Sequence, residues 1–169
     1  MGERELAMWM AGLRRIALDA ADGGDGPSCS AAMSLSRCLR EELIRRKQII
    51  GRRVLVVDDD DSIRQVLNAT LTSEGYDVLE APDGPKALAL TRRASPHVIV
   101  LDMYMPGMSG WDFAVAYRHA RGPHAPIVLL TVADDVERSA RDIGAAAFLR
   151  KPFDLDELLL RLRPLAAAR

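Results

Sequence analysis

Two cysteines, three histidines and almost no net charge narrow the chemistry before any motif is considered. Cys29 and Cys38 have no second pair beside them, which argues against a disulfide framework, and without clustered histidine a zinc site lacks donors. Two structural thiols in a reducing compartment is the reading that remains. Lys and Arg total 23 against 24 Asp and Glu. That balance gives no basic field for nucleic acid or for an anionic membrane surface. No apolar run reaches the length of about 18 residues that a membrane helix needs. The N-terminal apolar run stops at Arg14-Arg15 without a small-residue cleavage site, so it does not read as a signal peptide. Gly2 is followed by Leu6 where myristoylation wants Ser or Thr. A cytoplasmic protein is expected, and 169 residues suit one domain with an addition.

The addition lies first. Over residues 1–52, Leu6, Trp9, Met10, Leu13, Ile16 and Ala17 recur at helical spacing. A breaker-rich loop runs from Asp19 to Ser30, then a weaker helical pattern from Leu35 to Ile50. The expectation is a helical or partly disordered extension, either a partner-binding arm or a loosely attached one. Arg45, Arg46, Lys47, Arg52 and Arg53 form a basic stretch, but acidic and basic groups nearly balance over residues 1–50, as on a solvated helix.

Residues 53–169 are regular. Short apolar stretches at 53–57, 77–81, 97–101, 125–130 and 146–149 read as strands buried on both faces. Helical patterns separate them, and Pro164 is expected to end the last one. Strict alternation predicts a parallel sheet with helices on both faces, joined by right-handed crossovers. In such sheets ligands bind beyond the carboxyl ends of the strands, so the residues just past each strand are the ones to inspect.

Strand one runs into Asp58, Asp59, Asp60 and Asp61; strand three into Asp102, Met103, Tyr104, Met105, Pro106 and Gly107; strand four into Thr131; strand five into Arg150, Lys151 and Pro152. Taken singly, each is ordinary. An acidic run before a helix caps free N–H groups, and Asp60 or Asp61 suits that task. Together they place carboxylates, a hydroxyl and an ammonium on one rim. Three adjacent carboxylates would raise a pKa sharply unless a cation joined them. A hard divalent ion such as Mg²⁺, or Mn²⁺, fits all-oxygen donors and retains waters, which leaves room for a phosphoryl group. A carboxylate can attack phosphorus to form an acyl phosphate.

The stretches "VLVVDDDDSIRQVL" (54–67), "VIVLDMYMPGMSG" (98–110), "PIVLLTVA" (126–133) and "GAAAFLRKPF" (144–153) resemble, in order and spacing, the receiver domain of two-component response regulators. The resemblance covers residues 53–164. It implies a flavodoxin-like (βα)5 fold with strand order 2-1-3-4-5. It also implies that Asp102 accepts the phosphoryl group and joins the metal site, that Asp59 binds Mg²⁺ directly with Asp58 its water-bridged neighbour, and that Tyr104 offers its backbone carbonyl to the metal. Thr131 resembles the switch hydroxyl, Phe148 the switch aromatic and Lys151 the phosphate-binding lysine, with a cis bond before Pro152. The family is a signalling switch that catalyses only its own phosphorylation and dephosphorylation. Its implied donor is a histidine kinase or a histidine phosphotransfer protein. Bulky Tyr104 is expected to shield the acyl phosphate, while Ala133 occupies a position that also influences its lifetime.

No helix-turn-helix, ATPase or cyclase pattern comes after the last helix, so output is expected through an unknown protein target, dimerisation or the N-terminal arm, without direct nucleic-acid binding. "AAAF" before Lys151 lacks the acidic residues of receivers that dimerise through their fourth and fifth helices. Two rival readings stand beside the main one. "DDDDS" also fits the nucleophile loop of haloacid-dehalogenase-type phosphatases, with Asp58 as nucleophile and Asp60 as acid, but no late acidic pair at a strand end supports it. The other rival is a phosphorylation-independent interaction module on the same fold.

Overall fold

In a computed structural model of the protein, the described residues are 50–132 and 136–168, with Arg37 and Glu41 in addition. The helical patterns expected within residues 1–50, like Ala133, otherwise lie outside them. Arg37 and Glu41 are helical and form an exposed ion pair at 3.2 Å. They belong to a unit spanning Met1–Lys47; a second compact unit spans Gln48–Arg169.

The second unit holds five strands and five helices in alternation. Strands are β1 (Arg53–Val57), β2 (Asp77–Ala81), β3 (Val98–Asp102), β4 (Ile127–Thr131) and β5 (Ala147–Arg150). Helices are α1 (Asp61–Ser73), α2 (Gly84–Ala94), α3 (Gly110–His119), α4 (Val136–Ile143) and α5 (Leu155–Ala167). All pairings are parallel, in the order β2-β1-β3-β4-β5. This is the flavodoxin-like order expected from the sequence.

Side-chain alternation along the strands sorts the core into two layers. Leu55, Val57, Ile99, Leu101 and Leu129 face Phe113, Ala114 and Ile143 of α3 and α4. Val54, Val56, Val98, Val100 and Leu130 face Leu67 and Leu71 of α1 and Leu158 and Leu162 of α5. Both faces are covered, which is why β1, β3 and β4 read as unbroken apolar runs.

Local chemistry sets the helix ends. Asp60 caps α1, accepting from the Ser62 and Ile63 N–H groups. Asp83 caps α2, with Pro85 in its first turn, and Asp154 caps α5. Ser109 and Asp112 form a reciprocal capping box on α3. Gly75 lies just past α1 at φ +97°, a left-handed conformation that disfavours side chains.

Three expectations shift. Pro164 lies inside α5 rather than ending it. Proline removes one N–H bond, but Leu162 and Ala166 are both buried on the sheet side, so packing carries the helix past it. Asp102 and Thr131 are the last residues of their strands rather than the first residues after them. The helical spacing of Ile63, Val66, Leu67, Thr70 and Leu71 predicts one apolar stripe on α1, yet Val66 is half exposed; the buried face is Arg64, Leu67 and Leu71.

Candidate metal and phosphoryl site

The strand order places β1 between β2 and β3, so the chain leaves β1 in one direction and returns on its other side. The carboxyl ends of β1 and β3 therefore border the crevice where strand order reverses, the usual ligand position in open α/β sheets. Asp58 and Asp59 come directly after β1, and Asp102 ends β3. One oxygen from each of these three carboxylates lies within 4.8 Å of the others.

The main chain fixes their positions. The Asp58 N–H donates to the Ala81 carbonyl at 3.3 Å, and the Met103 N–H donates to the Leu130 carbonyl at 3.0 Å. Each bond carries the sheet ladder one step beyond the strand. Gly110 lets α3 abut this loop: its N–H donates to the Met103 carbonyl at 2.9 Å, and a Cβ there would sit 2.3 Å from the Asp102 carbonyl oxygen. No residue but glycine fits without moving Asp102.

Lys151 reaches the same rim from β5. Its N–H donates to the Thr131 carbonyl at 2.8 Å, which aims the side chain across the sheet end. The ammonium lies 2.7 Å from Asp58 Oδ2 and 2.9 Å from Asp102 Oδ1. The peptide bond to Pro152 is cis. Thr131 is fully buried. Asp58 and Asp102 are buried and Asp59 is exposed, yet the Asp102 side chain keeps 6 % of its surface open, so solvent reaches it.

Burial holds the Asp102 carboxyl above its ordinary range; Lys151 pulls it down, and Asp58 and Asp59 add smaller upward pushes. From the residues alone, crowding among carboxylates is the expected cause of such a rise; in the folded protein desolvation is the larger one. For Lys151, burial pulls downward but hydrogen bonds to Asp58 and Asp102, with their charges, outweigh it, and its pKa is raised. The donors suit a hard cation: all are carboxylate oxygens, two of them held by a single amine that a divalent ion could displace or supplement.

The family described as the response regulator receiver domain matches residues 54–163. The chain belongs to that family. The receiver is 44 % identical over 115 residues to Response regulator MprA of Mycobacterium leprae, covering 67 % of this chain and 50 % of that protein. It is 40 % identical over 114 residues to the probable transcriptional regulatory protein TcrX of Mycobacterium tuberculosis, covering 66 % and 48 %. The chain thus spans about half the length of the curated relatives it matches. Among solved structures, chemotaxis response regulator CheY4 of Vibrio cholerae is 38 % identical with a TM-score of 0.63, covering 68 % of this chain and 98 % of that one. Response regulator TrrA of Thermotoga maritima, in complex with Mg(2+)-BeF, is 33 % identical with a TM-score of 0.61, again covering 68 % and 98 %. Receiver domains of response regulators are signalling switches rather than conventional enzymes, and the acidic rim of this one suits Mg²⁺. Among the described residues no helix is long and apolar enough to cross a membrane.

The remaining residues singled out in the sequence take other positions. Tyr104 points outward, 57 % exposed, between buried Met103 and Met105. Phe148, 38 % exposed on β5, borders a cleft of about 320 Å³ with Glu137, Arg141 and Arg161. Asp60 is occupied as the α1 cap. One residue of the site has no counterpart among the sequence candidates. Arg64 is buried, and its guanidinium donates to the Asp58 carbonyl at 2.7 Å. The clue was available, since 64, 67 and 71 share one helical face.

Proposed function

We propose that the chain is a phospho-accepting receiver in which Asp102 takes a phosphoryl group from a histidine kinase or histidine phosphotransfer protein. The observation that carries this reading is the meeting of Asp58, Asp59 and Asp102 within 4.8 Å, with Lys151 bridging two of them. A carboxylate oxygen of Asp102 attacks the donor phosphorus. The bond from phosphorus to the donor nitrogen breaks, the electron pair leaves on the imidazole, and an acyl phosphate remains on Asp102. Most of the catalysis is positioning and charge stabilisation. Lys151, already 2.9 Å from Asp102, pairs with a phosphoryl oxygen as a point charge, and the Thr131 hydroxyl binds another. Asp58, Asp59 and Asp102, with the Tyr104 carbonyl, would hold Mg²⁺ or Mn²⁺, which supplies neutralisation of charge on the transferring oxygens.

The switch is driven by the added charge. Phosphorylation turns the Asp102 carboxylate into an acyl phosphate that carries nearly two negative charges at a buried position. Thr131 moves toward them, and outward-turned Phe148 rotates into the space, changing the surface of α4, β5 and α5. Phosphate shifts this equilibrium only by its differential affinity for the two states. Tyr104 shields the acyl phosphate from water. The targets are proteins that read the altered surface.

The phosphatase reading has little support, because Asp60, the acid it requires, is committed to capping α1. The test is incubation of the full chain with acetyl phosphate, with and without Mg²⁺, and then intact mass. One phosphoryl adduct that requires Mg²⁺ is expected. No adduct in folded, Mg²⁺-loaded protein refutes the proposal and leaves a phosphorylation-independent module.

A further inference from the structure

We infer that Arg64 is a positioning residue of this site, holding the Asp58–Asp59 peptide in the conformation that receives the divalent ion. The inference rests on the proposed metal-binding role of the acidic rim. Arg64 is 8 % exposed, on the inner face of α1 with Leu67 and Leu71. Its Nη1 donates to the backbone carbonyl of Asp58 at 2.7 Å. Its Nη2 is hydrogen-bonded and ion-paired to Asp61 Oδ1, and its Nε lies 3.9 Å from Glu80 Oε2 at the end of β2.

That carbonyl belongs to the peptide joining two candidate metal ligands. Besides its N–H bond to Ala81, Asp58 is consequently held at three further points. Arg64 grips its carbonyl, Lys151 its Oδ2 at 2.7 Å, and the Asp60 N–H its Oδ1 at 2.9 Å. With the carbonyl fixed, the next residue, Asp59, leaves the strand in a defined direction although its own side chain is exposed. A guanidinium suits this task, since its planar fork holds a carbonyl and a carboxylate at once and cannot lose its charge.

The residue is also electrostatically out of place. A fixed positive charge beside a cation site repels the cation, so charge alone makes Arg64 unfavourable for Mg²⁺. Positioning makes it favourable. The two effects have opposite signs, and the sign of the change on removing Arg64 separates them.

The experiment titrates Mg²⁺ alone into the full chain by calorimetry, for wild type, Arg64→Met and Arg64→Lys, with circular dichroism to verify folding. Outer partners of metal ligands typically contribute 10- to 100-fold in affinity, so Arg64→Met is expected to weaken Mg²⁺ binding about tenfold. Arg64→Lys, which keeps the charge and one donor, is expected to recover part of that loss. Acetyl phosphate uptake at saturating Mg²⁺ falls by less than the affinity does. Tighter or unchanged Mg²⁺ binding in folded Arg64→Met overturns the inference. Should Arg64→Met not fold, wild-type affinity in Arg64→Lys overturns it and weakened affinity supports it. Failure of wild type itself to bind Mg²⁺ is a separate result that removes the reading of the rim and this inference with it.

Discussion

At the amino end of the sheet, β1 and β3 are closed by matched groups. The Arg53 N–H donates to His97 Nδ1 at 2.9 Å, and the His97 N–H donates to the Arg53 carbonyl at 2.8 Å. The Arg53 guanidinium pairs with Asp77 at 2.9 Å and also donates to the Ala94 carbonyl. At the carboxyl end of the same strands, Asp58 and Asp102 are buried and share one ammonium, with Asp59 beside them. One end spends its polar groups on holding strands together. The other keeps more negative charge than its own cation balances, in a place where desolvation makes charge costly. A fold retains such an arrangement where a ligand completes it, and the proposed metal ion and phosphoryl group would do so here.

The sharpest way to break this contrast is Asp102→Asn. Phosphoryl uptake should vanish entirely by intact mass, while the protein melts at a higher temperature at pH 7. The sign comes from the raised carboxyl: its anionic form costs the folded state stability above the ordinary carboxylate range near pH 4, and that cost fades as pH falls through the folded pKa. The gap between wild type and variant should therefore narrow in melts toward pH 4. Lys151 behaves oppositely. Its raised pKa means that its contribution is complete at neutral pH and is lost only as pH climbs past about 10.4 through the folded value.

Lys151→Ala should come next, costing about 3 kcal/mol in urea titrations because it strands buried carboxylates. Mg²⁺ should restore more stability to this variant than to wild type. Gly110→Ala should cost about 2 kcal/mol by overpacking against the Asp102 carbonyl, and should slow phosphoryl uptake as well. At the opposite end, His97→Ala should cost about 1 kcal/mol, the worth of one hydrogen bond, and leave acetyl phosphate uptake unchanged. A large effect of His97→Ala on uptake would dissolve the distinction between the two ends.

Much of the rim was legible in the residues. Asp58, Asp59, Asp102, Thr131 and Lys151 could be assigned to one edge of the sheet because alternating βα units dictate where strand ends meet. The caps at Asp60, Asp83 and Ser109 arise from local chemistry. Pro164 misled because a local rule against proline was outweighed by burial of Leu162 and Ala166. Arg64 was missed because a cation between Ile63 and Gln65 looks like solvated helix surface unless its helical spacing to Leu67 and Leu71 is followed. Crowding predicts a raised pKa for one of the three carboxylates; that it is Asp102, and that burial is the main cause, needed coordinates.

The most direct test of the central claim is chemical trapping of the phosphorylated residue. Borohydride reduces an aspartyl phosphate to homoserine, and peptide mass spectrometry locates the product. After treatment with acetyl phosphate and Mg²⁺, homoserine should appear at position 102 and nowhere else. Homoserine at position 58, or at neither, would contradict the account.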